Sequence, residues 1–298
     1  MNAPRAALAA TLIALAALPA AAAGHGRPDC PGRSGEHRDD RYARAVMHAH
    51  PTYYWRLGAP GGSPNLMGDG SADATYGTQV TAGVPGAIAC SGDVAVGLTG
   101  AIPDGIWESH VVAGQGAHTL ATGNAHFGIE IWARPDTLDG NSRRLASRER
   151  PNGGYLLAAR SDALVFSRFV VVGGVEQWNT LSVPPLPLHM WSYVVANFDP
   201  DGVMRLYVNG VLAGQRTSPL LLPPDPAGDG TATAGRFVIG ANSRLYNPAN
   251  PAAHAFQEWD GALDEAAFYG PAASNLTPHE IRRHWRIATG EHGGDLDR

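Results

Sequence analysis

No lysine occurs anywhere in the chain; all 22 basic residues are arginine. The absence removes three chemistries: a Schiff-base lysine, a phosphate-loop lysine and a Ser–Lys nucleophile pair. Charged residues of either sign are few, 16% of the total, and 22 basic against 27 acidic side chains leave a formal charge of −5. With no basic stripe the chain lacks an electrostatic footprint for nucleic acid, which is excluded as a partner. Cysteine is nearly absent: Cys30 and Cys90 are too few and too far apart for a metal cluster. After the first 23 residues no apolar run approaches the length of a membrane span. Two catalytic signatures fail as well. There is no G-x-S-x-G turn, and His279-Glu280 followed by His284 misses the zinc pattern HExxH by one residue. On a helix the second histidine is turned about 140° from the first, and Arg283 holds the position a ligand would need.

What is present begins with an export signal over residues 1–23. Arg5 supplies the positive start, Ala6 to Leu18 an apolar run, and Ala21-Ala22-Ala23 a small-residue cleavage site. Alanine is weakly hydrophobic and Pro19 interrupts the run, which argues against an uncleaved anchor. Cleavage near Ala23 predicts a secreted, extracellular protein that has lost Arg5. In an oxidising compartment Cys30 and Cys90 form one disulfide, or else remain two unpaired thiols. Residues 24–41 are polar and interrupted by Gly and Pro, which reads as a flexible arm, and residues 288–298 as a polar tail. Residues 42–287 between them show no repeat and no long linker, so they are expected to form one domain.

Short strands dominate that body. Gly 37 and Pro 23 together approach a fifth of the 298 residues, enough to punctuate many turns. Phe127, Ile129, Ile131 and Ala133 alternate with Gly128, Glu130 and Trp132, the period of a strand. Tyr155 to Ala159, Leu164 to Val172, Trp191 to Phe198 and Phe237 to Gly240 read the same way. From Val203 to Arg216 the alternation breaks at Asn209-Gly210, a dipeptide suited to a two-residue hairpin turn whose central residues both need positive φ. About a dozen such strands predict an all-β fold, a two-sheet antiparallel β-sandwich. Two helices accompany it. One spans Arg41 to Ala49, with Tyr42 and Val46 on one face and Pro51 as the stop. The other lies in LTPHEIRRHWRIATG, where Thr277 and Glu280 make a capping box, Pro278 fits the first turn, and Leu276 and Ile281 form a hydrophobic staple.

Five segments, in order, resemble LamG-like jelly-roll domains of the concanavalin A-like lectin/glucanase superfamily. They are PTYYWRLG, TAGVPGAIACSGDVAVGLTG, FGIEIWARP, LHMWSYVVANFDPDGVMRLYVNGVLAG and WDGALDEAAFYGPAASNLTPHEIRRHW. The resemblance implies a jelly roll that binds glycans or mediates surface contacts, with calcium near one edge in some members. Asn65, Asp69 and Asp73 stand among glycines in NLMGDGSADATYG, oxygen ligands on a bendable loop as a hard cation requires. By resemblance that loop and Asp264 meet at one edge, although Ala59 replaces an acid usual in the family and Asn65 an Asp. The competing reading is a solvated turn, with Asp264 hydrogen-bonded structurally.

Fold alone does not settle function. A glycosidase of this architecture needs closely spaced acids sharing one strand face. Glu258 and Asp260 come nearest, but no third acid stands at the spacing of a glucanase motif, so the chain is read as non-catalytic. A glycan instead needs an aromatic platform with polar groups beside it. Trp55, Trp132, Trp191, Trp259 and Trp285 fall in strand or helix patterns and are assigned to the core. Trp107, Trp178 and Tyr246 fall in polar segments read as loops, with Asn179, Asn242 and Arg244 as hydrogen-bonding neighbours; the competing reading packs these aromatics under loop ends. The expected function is a secreted, non-catalytic module binding a carbohydrate or other extracellular polymer. The alternatives are a glycoside hydrolase or lyase of the same fold, and an adhesion module with protein partners.

Overall fold

The computed structural model of the chain describes residues 38–68, 70–89, 91–100, 109–113, 125–150, 153–219, 237–243 and 257–291. Within them the order of elements is α1 (Arg38–His48), β1 (Tyr53–Trp55), β2 (Thr75–Tyr76), β3 (Thr81–Pro85), β4 (Val94–Leu98), β5 (Val111–Val112), β6 (Phe127–Pro135) and β7 (Arg143–Arg150), then β8 (Gly153–Ala159), β9 (Leu164–Val172), β10 (Val175–Val183), β11 (Ser192–Phe198), β12 (Val203–Val208), β13 (Val211–Thr217), β14 (Val238–Ile239), β15 (Gly261–Tyr269) and α2 (Pro278–Thr289). An eight-stranded sheet runs β13-β12-β11-β6-β15-β4-β3 with β1 on β15, and a seven-stranded sheet runs β10-β9-β8-β7-β14-β5-β2. The strand pairings are antiparallel, so the expected two-sheet sandwich with one helix at each end of the sequence is what forms. Among the described residues no helix is long and apolar enough to cross a membrane.

Side-chain alternation dictates this arrangement. Phe127, Ile129 and Ile131 of β6 point between the sheets, where they meet Phe166, Phe198, Leu206 and Phe268. Alternate residues of the same strand face away from that core. Instead of water they meet the two helices, which pack with Tyr54, Trp132, Tyr193, Tyr207 and Tyr269 through Tyr42, Val46 and Ile281. The eight-stranded sheet is therefore covered on both faces.

Glu130 lies at the centre of the helix-covered face and is completely buried. Its Oε1 accepts from Tyr42 Oη at 2.9 Å and Tyr193 Oη at 2.7 Å, and its Oε2 from Tyr269 Oη at 2.7 Å. The His284 Nδ1–H donates to Oε1 at 3.0 Å, while Nε2 lies 3.2 Å from the Ala45 carbonyl oxygen. Both ring nitrogens thus face oxygen atoms. α1, α2 and the sheet are thus tied to one carboxylate.

Local signals read from the sequence form as expected at two places. Asn209 and Gly210 take φ of 52° and 79°, and Val208 pairs with Val211 across the two-residue turn. At α2 the Thr277–Glu280 box closes in both directions, and Gly290 ends the helix in the left-handed region with its N–H on the Arg286 carbonyl. α1 starts at Arg38 rather than Arg41, so the expected arm gives its last residues to the helix, and α2 runs to Thr289, past the expected start of the tail.

Candidate functional site

Two surroundings stand out, one acidic and buried, the other aromatic and exposed. The acidic one is made by an irregularity in β15. In a regular strand Asp264 and Glu265 would point to opposite faces. Here Glu265 adopts φ of 49°, and the pairing with β6 slips between Asp264 and Ala267, the signature of a bulge. Carboxylate oxygens of Asp264, Glu265 and Asp93 consequently lie within 4.8 Å of one another. Asp93 stands immediately before β4, and Arg56 immediately after β1. The Arg56 guanidinium bridges two of the acids, donating from Nη2 to Asp93 Oδ1 at 3.1 Å and from Nε to Glu265 Oε1 at 3.0 Å. The Tyr54 hydroxyl donates to Glu265 Oε2.

Asp264 is anchored through one of its oxygens. Its Oδ2 accepts from the Ala87 N–H at 2.8 Å, but its Oδ1 has no hydrogen-bond donor among the described residues. Asp264 and Glu265 are both completely buried. Burial, and next the charges of Asp93 and Glu265, push the Asp264 carboxyl well above the usual range. Burial likewise pushes Glu265 up to about 8, with Arg56 opposing it. A cavity of about 360 Å³ opens beside the cluster, lined by Arg56, Gly58, Ala59, Ser63, Leu66 and Asp93 among others.

The loop expected to supply cation ligands is used differently. Asn65 Oδ1 accepts from the backbone N–H groups of Tyr54 at 3.1 Å and Met67 at 3.2 Å, and Asp73 Oδ1 from that of Asn65 at 2.8 Å. These bonds hold the turn against β1. The structure joins Asn65 to Asp73 and gathers Asp264 with Asp93 and Glu265; Asp69 lies outside the described residues. Sequence reasoning missed Asp93, Glu265 and Arg56, because two adjacent acids on a strand read as facing opposite ways and nothing in the composition announces the bulge.

The aromatic surrounding lies on the seven-stranded sheet. Trp178 falls in β10, an edge strand rather than a loop, and remains 37% exposed. It pairs with Phe169 of β9, whose ring meets it edge-on at 5.3 Å. Phe166 and Arg168 point inward, so Phe169 and Trp178 occupy the outer face. The next outward pair along the strands is Ser167 and Thr180, whose hydroxyls are 2.8 Å apart. At the hairpin tip Val172 and Val175 are exposed on either side of Gly173-Gly174.

The residues expected beside Trp178 do not gather around it. Asn179, its neighbour in the strand, faces the opposite way and is buried; its Oδ1 has no partner among the described residues. Asn242 is buried and donates through Nδ2 to Gln257 Oε1. Trp107, Arg244 and Tyr246 lie outside the described residues, as do Cys30 and Cys90. Trp55, Trp132 and Trp259 are buried as expected. Trp191 and Trp285 are half-buried, the first 5.6 Å from the Arg134 guanidinium and the second stacked on Trp132.

The two acids nearest to a glycosidase pair are also placed. Asp260 accepts from the Thr137 hydroxyl. Glu258 is completely buried, and burial pushes it up to about 8 against the charge of Arg143 and the backbone N–H of Ser109.

Solved structures of similar fold include binding domains, at low sequence identity. The binding domain of Paraclostridial Mosquitocidal Protein 1 matches with a TM-score of 0.54 and 14% identity over 78% of this chain and 52% of that one. The binding domain of Botulinum neurotoxin DC, solved in complex with rat synaptotagmin II, gives 0.54 and 14% over 80% and 52%. The chain thus spans about half the length of these toxin domains. Domain 4 of AbnA, a GH43 extracellular arabinanase from Geobacillus stearothermophilus, solved in complex with arabinotriose, gives 0.51 and 16% over 80% of this chain and 98% of that one. No curated protein matches the sequence. A family model described as Concanavalin A-like lectin/glucanases superfamily matches residues 103–282, and the fold agrees with it: the chain belongs to that superfamily.

Proposed function

We propose that this chain is an exported, non-catalytic binding module that receives a carbohydrate or other extracellular polymer on the outer face of its seven-stranded sheet, around Trp178. The observation that carries the reading is the exposed indole of Trp178, held edge-on by Phe169 beside the Ser167–Thr180 hydroxyl pair. A flat ring with its rotamer already restrained loses little freedom when a sugar ring stacks on it. Two further observations support the choice. The outer face of the other sheet is occupied by α1 and α2. Glu258 is too deeply buried to reach a polymer. The arabinotriose complex of the AbnA domain concerns that protein, and is a reason to include arabinans among the ligands tried.

A glycan and polysaccharide array probed with the secreted chain tests the proposal, followed by calorimetry on any hit. Trp178→Ala is expected to weaken binding by roughly thirtyfold, about 2 kcal/mol for a central aromatic contact, with a single cooperative melting transition retained. A silent array together with saturable binding to a protein surface would favour the adhesion reading, which the exposed Val172 and Val175 at the hairpin tip also suit. Release of reducing or unsaturated sugar that Glu258→Gln abolishes would replace both with an enzyme.

A further inference from the structure

We propose that β10 pairs antiparallel with β10 of a second copy of this chain, about a two-fold axis at Asn179, joining the two seven-stranded sheets into one. Gly173 and Gly174 take φ of 60° and 79°, and Val172 lies opposite Val175 across this two-residue turn. Such a turn closes on a hydrogen-bonded pair, and bonded and non-bonded pairs then alternate, so Gln177, Asn179 and Leu181 bond to β9. The N–H and C=O groups of Glu176, Trp178, Thr180 and Ser182 point the other way, to the rim of the sheet. The Thr180 carbonyl agrees with this, since it accepts from the exposed Arg216 guanidinium at 2.9 Å.

A free edge is ordinarily blunted by shortness, a bulge, proline or charge. β13 and β3, the rims of the eight-stranded sheet, each carry a register shift, and β2 at the far rim of the seven-stranded sheet has two residues. β10 is the exception. Its nine pairs with β9 run without a shift, and VEQWNTLSV holds no proline and one charged residue, Glu176. Arg216 reaches the rim from β13, but its exposed side chain can swing aside, and a carbonyl oxygen has a second lone pair.

Asn179 selects the partner and the register. It is buried, and its Oδ1 has no hydrogen bond among the described residues. With the axis at Asn179, Trp178 of each copy exchanges hydrogen bonds with Thr180 of the other, and Glu176 with Ser182, so each rim group meets another of the set. The two Asn179 residues become the central non-bonded pair, with Cα atoms about 4.5 Å apart. There the Nδ2 of one amide reaches the Oδ1 of the other, which satisfies the buried acceptor by symmetry. The second Trp178 arrives on the same outer face as a diagonal neighbour, roughly 7–8 Å away at Cα. The pairing holds whatever Trp178 binds; for a polymer, two indoles make a longer platform.

Sedimentation of the full chain over a concentration series tests the pairing, together with oxidative trapping in which the parent is the baseline. The parent is expected to pass from the mass of one chain to that of two. Thr180→Pro removes only a rim N–H, and is expected to raise the dissociation constant at least about tenfold while keeping a cooperative melt. Asn179→Cys is expected to give a covalent dimer on mild oxidation, because the central pair lies within disulfide reach. Ser182→Cys, which the axis places far from its mate, is expected to give none. A single-chain mass at every concentration would overturn the proposal. So would dimers that survive Thr180→Pro or that Asn179→Cys fails to trap, since another surface would then join the copies.

Discussion

At the scale of single residues, Glu130 shows how this chain uses charge in its interior. Burial alone would raise its carboxyl, but the His284 ring and the hydrogen bonds from Tyr269 and Tyr193 outweigh burial and hold it below its ordinary 4.5. The same burial, reinforced by the Glu130 charge, raises the phenols of Tyr42, Tyr193 and Tyr269, so they stay protonated donors. A carboxyl whose pKa is lower in the folded chain stabilises the fold above its unfolded value, and that contribution fades as pH falls through the folded value. Glu130→Gln should therefore cost about 3–5 kcal/mol in urea unfolding at pH 7. It should also flatten the acid limb of the stability profile below about pH 4.5; an unchanged limb would show that other carboxylates control acid unfolding.

At the scale of elements, the capping box of α2 is the clearest agreement between sequence and geometry. Thr277 accepts from the Glu280 N–H while Glu280 Oε2 takes the Thr277 N–H at 2.8 Å, so Thr277→Ala should lower stability by about 1 kcal/mol. Chemical denaturation would measure it, and a loss indistinguishable from zero would mean that packing of Ile281 and Ala288 alone holds the helix. Strands were legible where one face is apolar throughout, as in β6, or nearly so, as in β9 and β11. β7 was not, because its buried positions carry charges that satisfy one another: Arg144 and Glu149 pair at 2.8 Å with both side chains almost fully covered. β10 was hidden for the opposite reason, since at a sheet edge its outward residues, Trp178 and Thr180, look like those of a loop. The acidic cluster was half legible: Asp264 stood out by resemblance, whereas its meeting with Asp93 and Glu265 depends on a bulge and on a contact between distant parts of the chain.

At the scale of the whole molecule, the two sheets are treated differently. Both helices are spent on the eight-stranded sheet, and this asymmetry was not legible, because a strand with both faces buried looks the same whether its second face meets a helix or another sheet. Removing the chain through His48 should uncover the aromatic residues around Trp132 and deprive Glu130 of Tyr42. Such a truncation is expected to bind a hydrophobic dye and lose its sharp melting transition; an intact transition would show that α1 is dispensable.

The Glu130 knot has a mechanical consequence. Tyr42 from the first helix and His284 from the last grip the same oxygen, so tension on either flank of the body is delivered to the middle of a broad sheet instead of peeling a strand from its rim. If the module is tethered at one side while its ligand is pulled at the other, the tethered flank hands its load to β6, whereas the ligand pulls directly on β10, the rim strand that carries Trp178.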